Sequence, residues 1–510
     1  MEARRVISEP IAIDKGKREK KPFWGLTCHY LGIASLTMGF AYKAIMLLIR
    51  FAFENEFSGM LVPFSISSLA AISLGLTLYV VGGEVRALKL GEALSISALI
   101  WLFIPAMGSL PFIISGYLDP LSAYFESMSG FTATGLTMFP TAEVTVENIP
   151  QSLLLWRSLT QWIGGVGIIV LFLTILGRES TASRLYSAEG RTDRIRPSVV
   201  STARWVWVIY SLYTVICALL LFAVTMDGFQ AVNFSMTAMA TGGFAVTDES
   251  VASLNSGLAE GIIVVFMIAG ATSFVLHYRV LVKGLYNPLR LYRLREGKKA
   301  VKERTNRVLV YEFILMMCLA IIGFLIVSCA EGMNFREGIF QSISAVTGTG
   351  FSNANVADYK PMSKTILSLL MMAGGCYGST TSAIKSFRVL LLMFSIAWIV
   401  RRKLLPGSAV VPLKVGDKTY RDEDVMDVAV YIFLYFGALI IGTLIFMGSG
   451  LELGDSFFEV ASAQGNVGLS VGITNVGMAA YQKIVLIIEM WIGRLEIIPI
   501  FVLLRRLFPL

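Results

Sequence analysis

Ser129-Gly-Phe-Thr-Ala-Thr-Gly-Leu136 is a small, polar, glycine-bearing stretch in an apolar chain, and its pattern occurs four times. The counterparts are Thr237-Ala-Met-Ala-Thr-Gly-Gly-Phe244, Ser344-Ala-Val-Thr-Gly-Thr-Gly-Phe351 and Ser462-Ala-Gln-Gly-Asn-Val-Gly-Leu469. In each, a Gly precedes Leu or Phe, and six residues before that Gly stands a hydroxyl: Ser129, Thr237, Ser344 or Ser462. The glycines Gly135, Gly243, Gly350 and Gly468 are separated by 108, 107 and 118 residues. Such a period marks an internally repeated architecture. Each repeat reads as span, short semi-polar helix, glycine loop, span. A helix of about a dozen residues reaches roughly 18 Å, short of the roughly 30 Å bilayer core. It therefore enters the membrane and turns back.

The surrounding composition demands a bilayer. Of 510 residues, 55% are hydrophobic and only 15% charged, with a mean hydropathy of +0.70. Such a chain cannot cover a water-facing surface, which excludes a soluble enzyme, a disordered protein and a fibrous one. Ten spans are expected at 26–49, 61–82, 94–116, 152–176, 205–226, 260–283, 308–330, 364–400, 427–448 and 481–504, the first long enough to span rather than be cleaved as a signal. The eighth is interrupted by Gly374-Gly-Cys-Tyr-Gly-Ser-Thr-Thr381, and exposed backbone there is tolerable only where it lines water or is buried in protein. Ten spans leave both termini on one side, together with 35 of the 43 Lys and Arg residues. That asymmetry places both termini in the cytoplasm. It also accounts for the net charge of +8 without nucleic acid as a partner. Five Cys in apolar stretches make no disulfide framework, and two His are too few for a histidine metal site. No HExxH, nucleophile elbow or intramembrane Asp pair is present, so the chain reads as no enzyme.

Four such loops suit one task. A monovalent cation must shed water to cross selectively, and rings of backbone carbonyls replace that water. Glycine permits the positive φ and close packing that aim carbonyls at one axis. The carbonyl ends of the short helices add partial negative charge.

With these features the sequence resembles the Trk/Ktr/HKT superfamily of potassium transporters, and its extra N-terminal pair of spans resembles the TrkH branch. Gln161-Trp-Ile-Gly-Gly-Val-Gly-Ile-Ile169, Phe274-Val-Leu-His-Tyr278, Gly374–Lys385 and Ile492-Gly-Arg-Leu-Glu496 resemble that family's further signatures. The resemblance implies an all-α polytopic membrane protein with four pseudo-symmetric span–pore loop–span repeats around one pore. The divisions expected are a basic tail (1–25), the added two-span unit (26–92) and repeats at 93–204, 205–307, 308–424 and 425–510. It implies K+ as the transported ion and no covalently bound cofactor. The filter would comprise Thr134, Gly135, Gly242, Gly243, Thr349, Gly350, Val467 and Gly468. The gate would comprise Gly374, Gly375, Gly378 and Arg494. Four filter glycines point to potassium, since some plant relatives with Ser at the first position favour sodium. A weakly selective or sodium-preferring transporter of the same fold is the alternative. The family further implies a homodimer in the cell (plasma or inner) membrane. It also implies a cytosolic ring of nucleotide-binding regulatory subunits, as this chain has no Walker A and no GxGxxG after a strand.

Other residues admit two readings each. Arg494, costly in a span, is a pore-facing charge or a structural ion pair with Glu489 or Glu496. Lys385 marks the end of a half-helix or latches the gate. His277 makes a structural hydrogen bond or senses pH. Glu126 and Glu459, equivalent in the repeats, attract cations or hold loop backbone. The basic loops 177–204 and 279–307 bind anionic membrane lipids or a cytosolic subunit.

Overall fold

The computed structural model describes residues 23–52, 57–83, 88–141, 144–167, 198–283, 307–406 and 411–508. The basic tail and most of the loops 177–204 and 279–307 lie outside them.

Four repeats follow an N-terminal pair. The pair, Phe23–Ala52 and Phe57–Gly82, packs on itself and on the first repeat. Its close approach depends on small residues: a Cβ on Gly32 would lie 2.6 Å from the Tyr79 nitrogen and 2.9 Å from the Gly75 carbonyl. The outer helices are Leu90–Gly108, Val199–Thr225, Arg307–Glu331 and Asp422–Met447. The last three display exposed Leu, Ile, Val or Phe on one side, as a lipid-facing helix does, whereas the first is exposed only at Leu90 and packs against the first helix of the N-terminal pair. The short helices are Pro120–Phe131, Gly228–Met239, Phe335–Val346 and Leu453–Gly465, each 12 or 13 residues long as expected. Asp119 and Asp227 cap the first two by accepting from two backbone N–H groups apiece.

The inner helices depart from expectation. The sequence marks only the eighth span as interrupted, yet all four inner helices stop part-way. They are Gln151–Val166, Gly257–Ala271, Pro361–Ala373 and Ala480–Leu495. The second turns by 101° at Thr272-Ser273 before Phe274. The fourth breaks at Glu496 and Ile497, both at positive φ, before Ile498–Leu507. Six described helices are therefore long and apolar enough to cross a membrane, or seven with the bent pair. A small antiparallel hairpin, Leu413–Val415 with Lys418–Tyr420, joins repeats three and four; Leu413 pairs with Tyr420.

Each inner helix packs on the short helix of the next repeat, and the fourth packs on the first, so the repeats close into a ring. Three of these contacts carry a polar tie from the fourth residue of the inner helix. Glu260 pairs with Arg336 at 2.7 Å, Lys364 pairs with Asp455 at 2.8 Å, and Lys483 donates to Ser122 at 2.8 Å.

Candidate functional site

The short helices end alike. The residue two before each ring glycine, Ala133, Thr241, Gly348 or Asn466, is left-handed with φ of 51–65°. That reversal lets the N–H of Thr134, Gly242, Thr349 and Val467 reach the carbonyl of Ser129, Thr237, Ser344 and Ser462 at 2.9–3.0 Å. The side chains of those hydroxyl residues then diverge. Ser129 and Ser462 accept from the N–H of Gly135 and Gly468 at 3.1 and 3.0 Å. Ser344 donates to the Phe351 carbonyl, and Thr237 turns back to its own helix. In the second loop Gln161 takes over: its amide donates to the Gly242 carbonyl at 2.6 Å and accepts from the Phe244 N–H at 3.0 Å.

The four loops meet in a closed cycle. Gly135, Gly243, Gly350 and Gly468 have φ of 97°, 77°, 82° and 101°. A Cβ on Gly135 would overlap the carbonyl oxygen of Gly242, one on Gly243 that of Thr349, one on Gly350 that of Val467, and one on Gly468 that of Thr134. Each glycine thus abuts the carbonyl that precedes the next repeat's glycine. All eight residues read from the sequence as a filter lie in this ring. Asn466 links two loops, donating to the Thr134 hydroxyl at 2.9 Å.

On one side of the ring a cavity of about 630 Å³ is lined by the four glycines and by Asp248 and Glu249, which the sequence reading did not single out. Glu126 and Glu459 hold loop backbone. Glu126 accepts from the Met138 N–H and pairs with buried Arg157 at 2.7 Å. Glu459 accepts from the Val471 and Thr474 N–H groups and the Ser470 hydroxyl.

On the other side, the described residues leave little room. A space of about 20 Å³ remains between Gly167, Gly378, Ser379, Thr381, Ser382 and Arg494, room for about one water. The segment after Gly374 is threaded onto the break of repeat two: the Cys376 and Thr380 N–H groups donate to Ala271 and Gly270, and Phe274 N–H donates to Gly378. Arg494 donates to the Thr380 carbonyl at 2.9 Å, the Ser382 hydroxyl at 3.2 Å, the Gly165 carbonyl at 2.9 Å and the Gly164 carbonyl. The ends of all four inner helices are therefore tied together through Arg494 and the segment after Gly374.

Neither proposed ion pair of Arg494 forms. Glu496 pairs instead with Lys385 at 2.7 Å and with Arg388. Lys385 is thus not just the end of a half-helix; it ties the interrupted segment of repeat three to the break in repeat four. His277 bridges Tyr213, at 3.2 Å, and the Ala269 carbonyl, at 2.9 Å, across the bend, as a structural hydrogen-bonding residue.

A family model described as TrkH, cation transport protein, matches residues 95–509. The chain belongs to the TrkH cation transport protein family. It is 32% identical over 457 residues to a cation transporter of Methanocaldococcus jannaschii, covering 89% of this chain and 90% of that one. It is 30% identical over 436 residues to the Trk system potassium uptake protein TrkH of Escherichia coli, covering 83% and 87%. The crystal structure of the potassium transporter TrkH from Vibrio parahaemolyticus superposes with a TM-score of 0.79 at 26% identity, covering 95% and 98%. This TrkH-family chain is therefore a multi-pass membrane transporter and not an enzyme.

Proposed function

We propose that this protein is the membrane subunit for potassium uptake across the cell membrane, with the four glycine loops as its selectivity filter. The observation that carries the reading is the cycle of glycines against carbonyls. It packs Thr134, Gly242, Thr349 and Val467 and their glycines around one axis with no side chain between them, the form a dehydrated cation requires. Relatives named for potassium uptake support K+ as the ion.

Beneath the ring, Gly374, Gly375 and Gly378 with Arg494 form the gate. Arg494 binds carbonyls from repeats one and three across the pathway. Two cations, Lys385 and Arg388, hold Glu496 beside it. Ala383, Lys385, Glu496 and β-branched Ile497 all have φ between 61° and 71°, backbone strain of order 1–3 kcal/mol each. Strain concentrated at a constriction suits an element that moves. Opening is assigned to a cytosolic nucleotide-binding ring acting on a homodimer, a reading that rests on the family resemblance.

Flux of Rb+ and of Na+ into liposomes holding the purified protein tests the proposal. Uptake of Rb+ well above Na+ supports it. Equal uptake, or preference for Na+, returns the weakly selective or sodium-preferring alternative.

A further inference from the structure

Glu489 breaks the four-fold pattern of the inner helices. Gly164, Gly270 and Gly493 are each the fourteenth residue of their helix, and each faces the carbonyl four residues before a ring glycine: Phe131, Met239 and Gln464. The helices thus share a register. Their tenth residues are Thr160, Phe266, Leu370 and, in repeat four alone, an acid, Glu489. It is 4% exposed and lies against Gly442 of the outer helix, beside which Val460 of the short helix also packs.

The packing of this helix within repeat four is short of donors. Among the described residues, Oε2 of Glu489, Oε1 of Gln464, Oδ1 of Asn466 and the hydroxyl of Tyr435 have no hydrogen-bond partner. Gln464 and Asn466 are otherwise engaged, with the Tyr435 carbonyl, the Met490 carbonyl and the Thr134 hydroxyl. Three of the four unpartnered atoms only accept. A proton on the carboxyl adds a donor and removes a charge that the apolar interior does not solvate.

The helix of Glu489 packs against both outer helices and both short helices of repeats four and one, and against Ile498–Leu507. Among the described residues, Tyr435 of the outer helix is an ionisable group close enough to feel the charge of Glu489. Glu459 is held by its own loop, Asp455 by Lys364, Glu126 by Arg157, and Glu92 by the Lys89 N–H. On its own helix, Lys483 reaches Ser122 and Arg494 reaches Gly164 and Gly165. Beyond the break, Glu496 pairs with Lys385 and Arg388, and Arg506 lies over Phe23.

We propose that Glu489 is a proton-binding site behind the fourth loop, whose deprotonation strengthens cation binding in the ring. Asn466 is the link: it adjoins Val467 and is bound to the Met490 carbonyl one residue from Glu489. The inference rests on reading the ring as the ion site.

Two measurements on the purified full-length protein test it. In infrared difference spectra between about pH 6 and about pH 9, wild type loses a protonated-carboxyl C=O band that Glu489→Gln lacks. If wild type and Glu489→Gln give the same spectra, no proton resides there and the proposal is overturned. Rb+ is then titrated by thermal stabilisation at both pH values. Apparent Rb+ affinity rises about tenfold in wild type, within the roughly 5- to 150-fold range typical of coupling between two sites. Glu489→Gln stays at the low-pH value. The same pH dependence in both proteins overturns the coupling. No Rb+ effect at either pH overturns the filter reading and the coupling with it, while the infrared result still judges the proton. Should Glu489→Gln not fold, Tyr435→Phe keeps the carboxyl and moves the pH at which the band is lost; an unmoved midpoint counts against the site.

Discussion

The Cα of Gly468 packs on the carbonyl of Thr134, so the last repeat closes against the first and the ring is complete within one chain. Every link of that ring leaves no room for a side chain, so a substitution at any of the four glycines carries a steric cost as well as a conformational one.

Gly350→Ser must displace the Val467 carbonyl and adopt a φ of +82°, a cost of roughly 1–2 kcal/mol from φ alone. Rb+ over Na+ discrimination falls about tenfold or more, the change expected when one carbonyl leaves a four-loop ring. Gly135→Ser behaves alike through Gly242. A variant that folds and keeps its Rb+/Na+ flux ratio removes that glycine from the filter.

Arg494→Gln removes a charge from the constriction while keeping polarity. At an effective dielectric of about 20 and about 8 Å, its repulsion of a passing cation is about 2 kcal/mol. Rb+ flux at matched protein density rises roughly thirtyfold if that repulsion falls at the barrier. Unchanged flux assigns Arg494 to holding Gly164, Gly165 and Thr380 together.

Glu496→Gln leaves Lys385 and Arg388 buried without their carboxylate. Breaking a buried pair in this way costs about 3–5 kcal/mol. Thermal unfolding moves down markedly, and basal flux rises because the tie between repeats three and four is lost. A melting temperature within a degree or so of wild type would show that the triad carries no load.

Glu126 and Glu459 occupy equivalent positions but differ in partner. Glu126 neutralises Arg157, which is 2% exposed, whereas Glu459 accepts only from backbone and hydroxyls among the described residues. Glu126→Gln therefore strands a buried cation at a cost of about 3–5 kcal/mol. Glu459→Gln loses charge-assisted hydrogen bonds worth about 1.5–3 kcal/mol. Urea denaturation in detergent that ranks them the other way would refute this account of the two carboxylates.

The repeats were legible because a shared backbone requirement recurs at a fixed spacing. The hydroxyl residue six before each ring glycine marks where the left-handed reversal sends a hydrogen bond back to its carbonyl. The short helices were legible from length, and the interruption after Gly374 from its run of small polar residues. The points at which the other three inner helices stop were not. Thr272-Ser273 and Glu496-Ile497 interrupt otherwise apolar runs by only two residues, and hydropathy averages over them. Gln161 lay within a recognised signature, but its grip on Gly242 and Phe244 spans more than 80 residues and depends on the repeats closing. The Lys385–Glu496 pair, 111 residues apart, is invisible to helical spacing rules for the same reason.

The central claim is that the four loops together bind a dehydrated cation. Diffraction from crystals grown in Rb+, collected at the rubidium absorption edge, tests it most directly. The account predicts anomalous density on the axis among the carbonyls of Thr134, Gly242, Thr349 and Val467, diminished when K+ replaces Rb+ and undiminished by a matching excess of Na+. Well-ordered loops with no anomalous density there, or a site that Na+ empties as readily as K+, would contradict it.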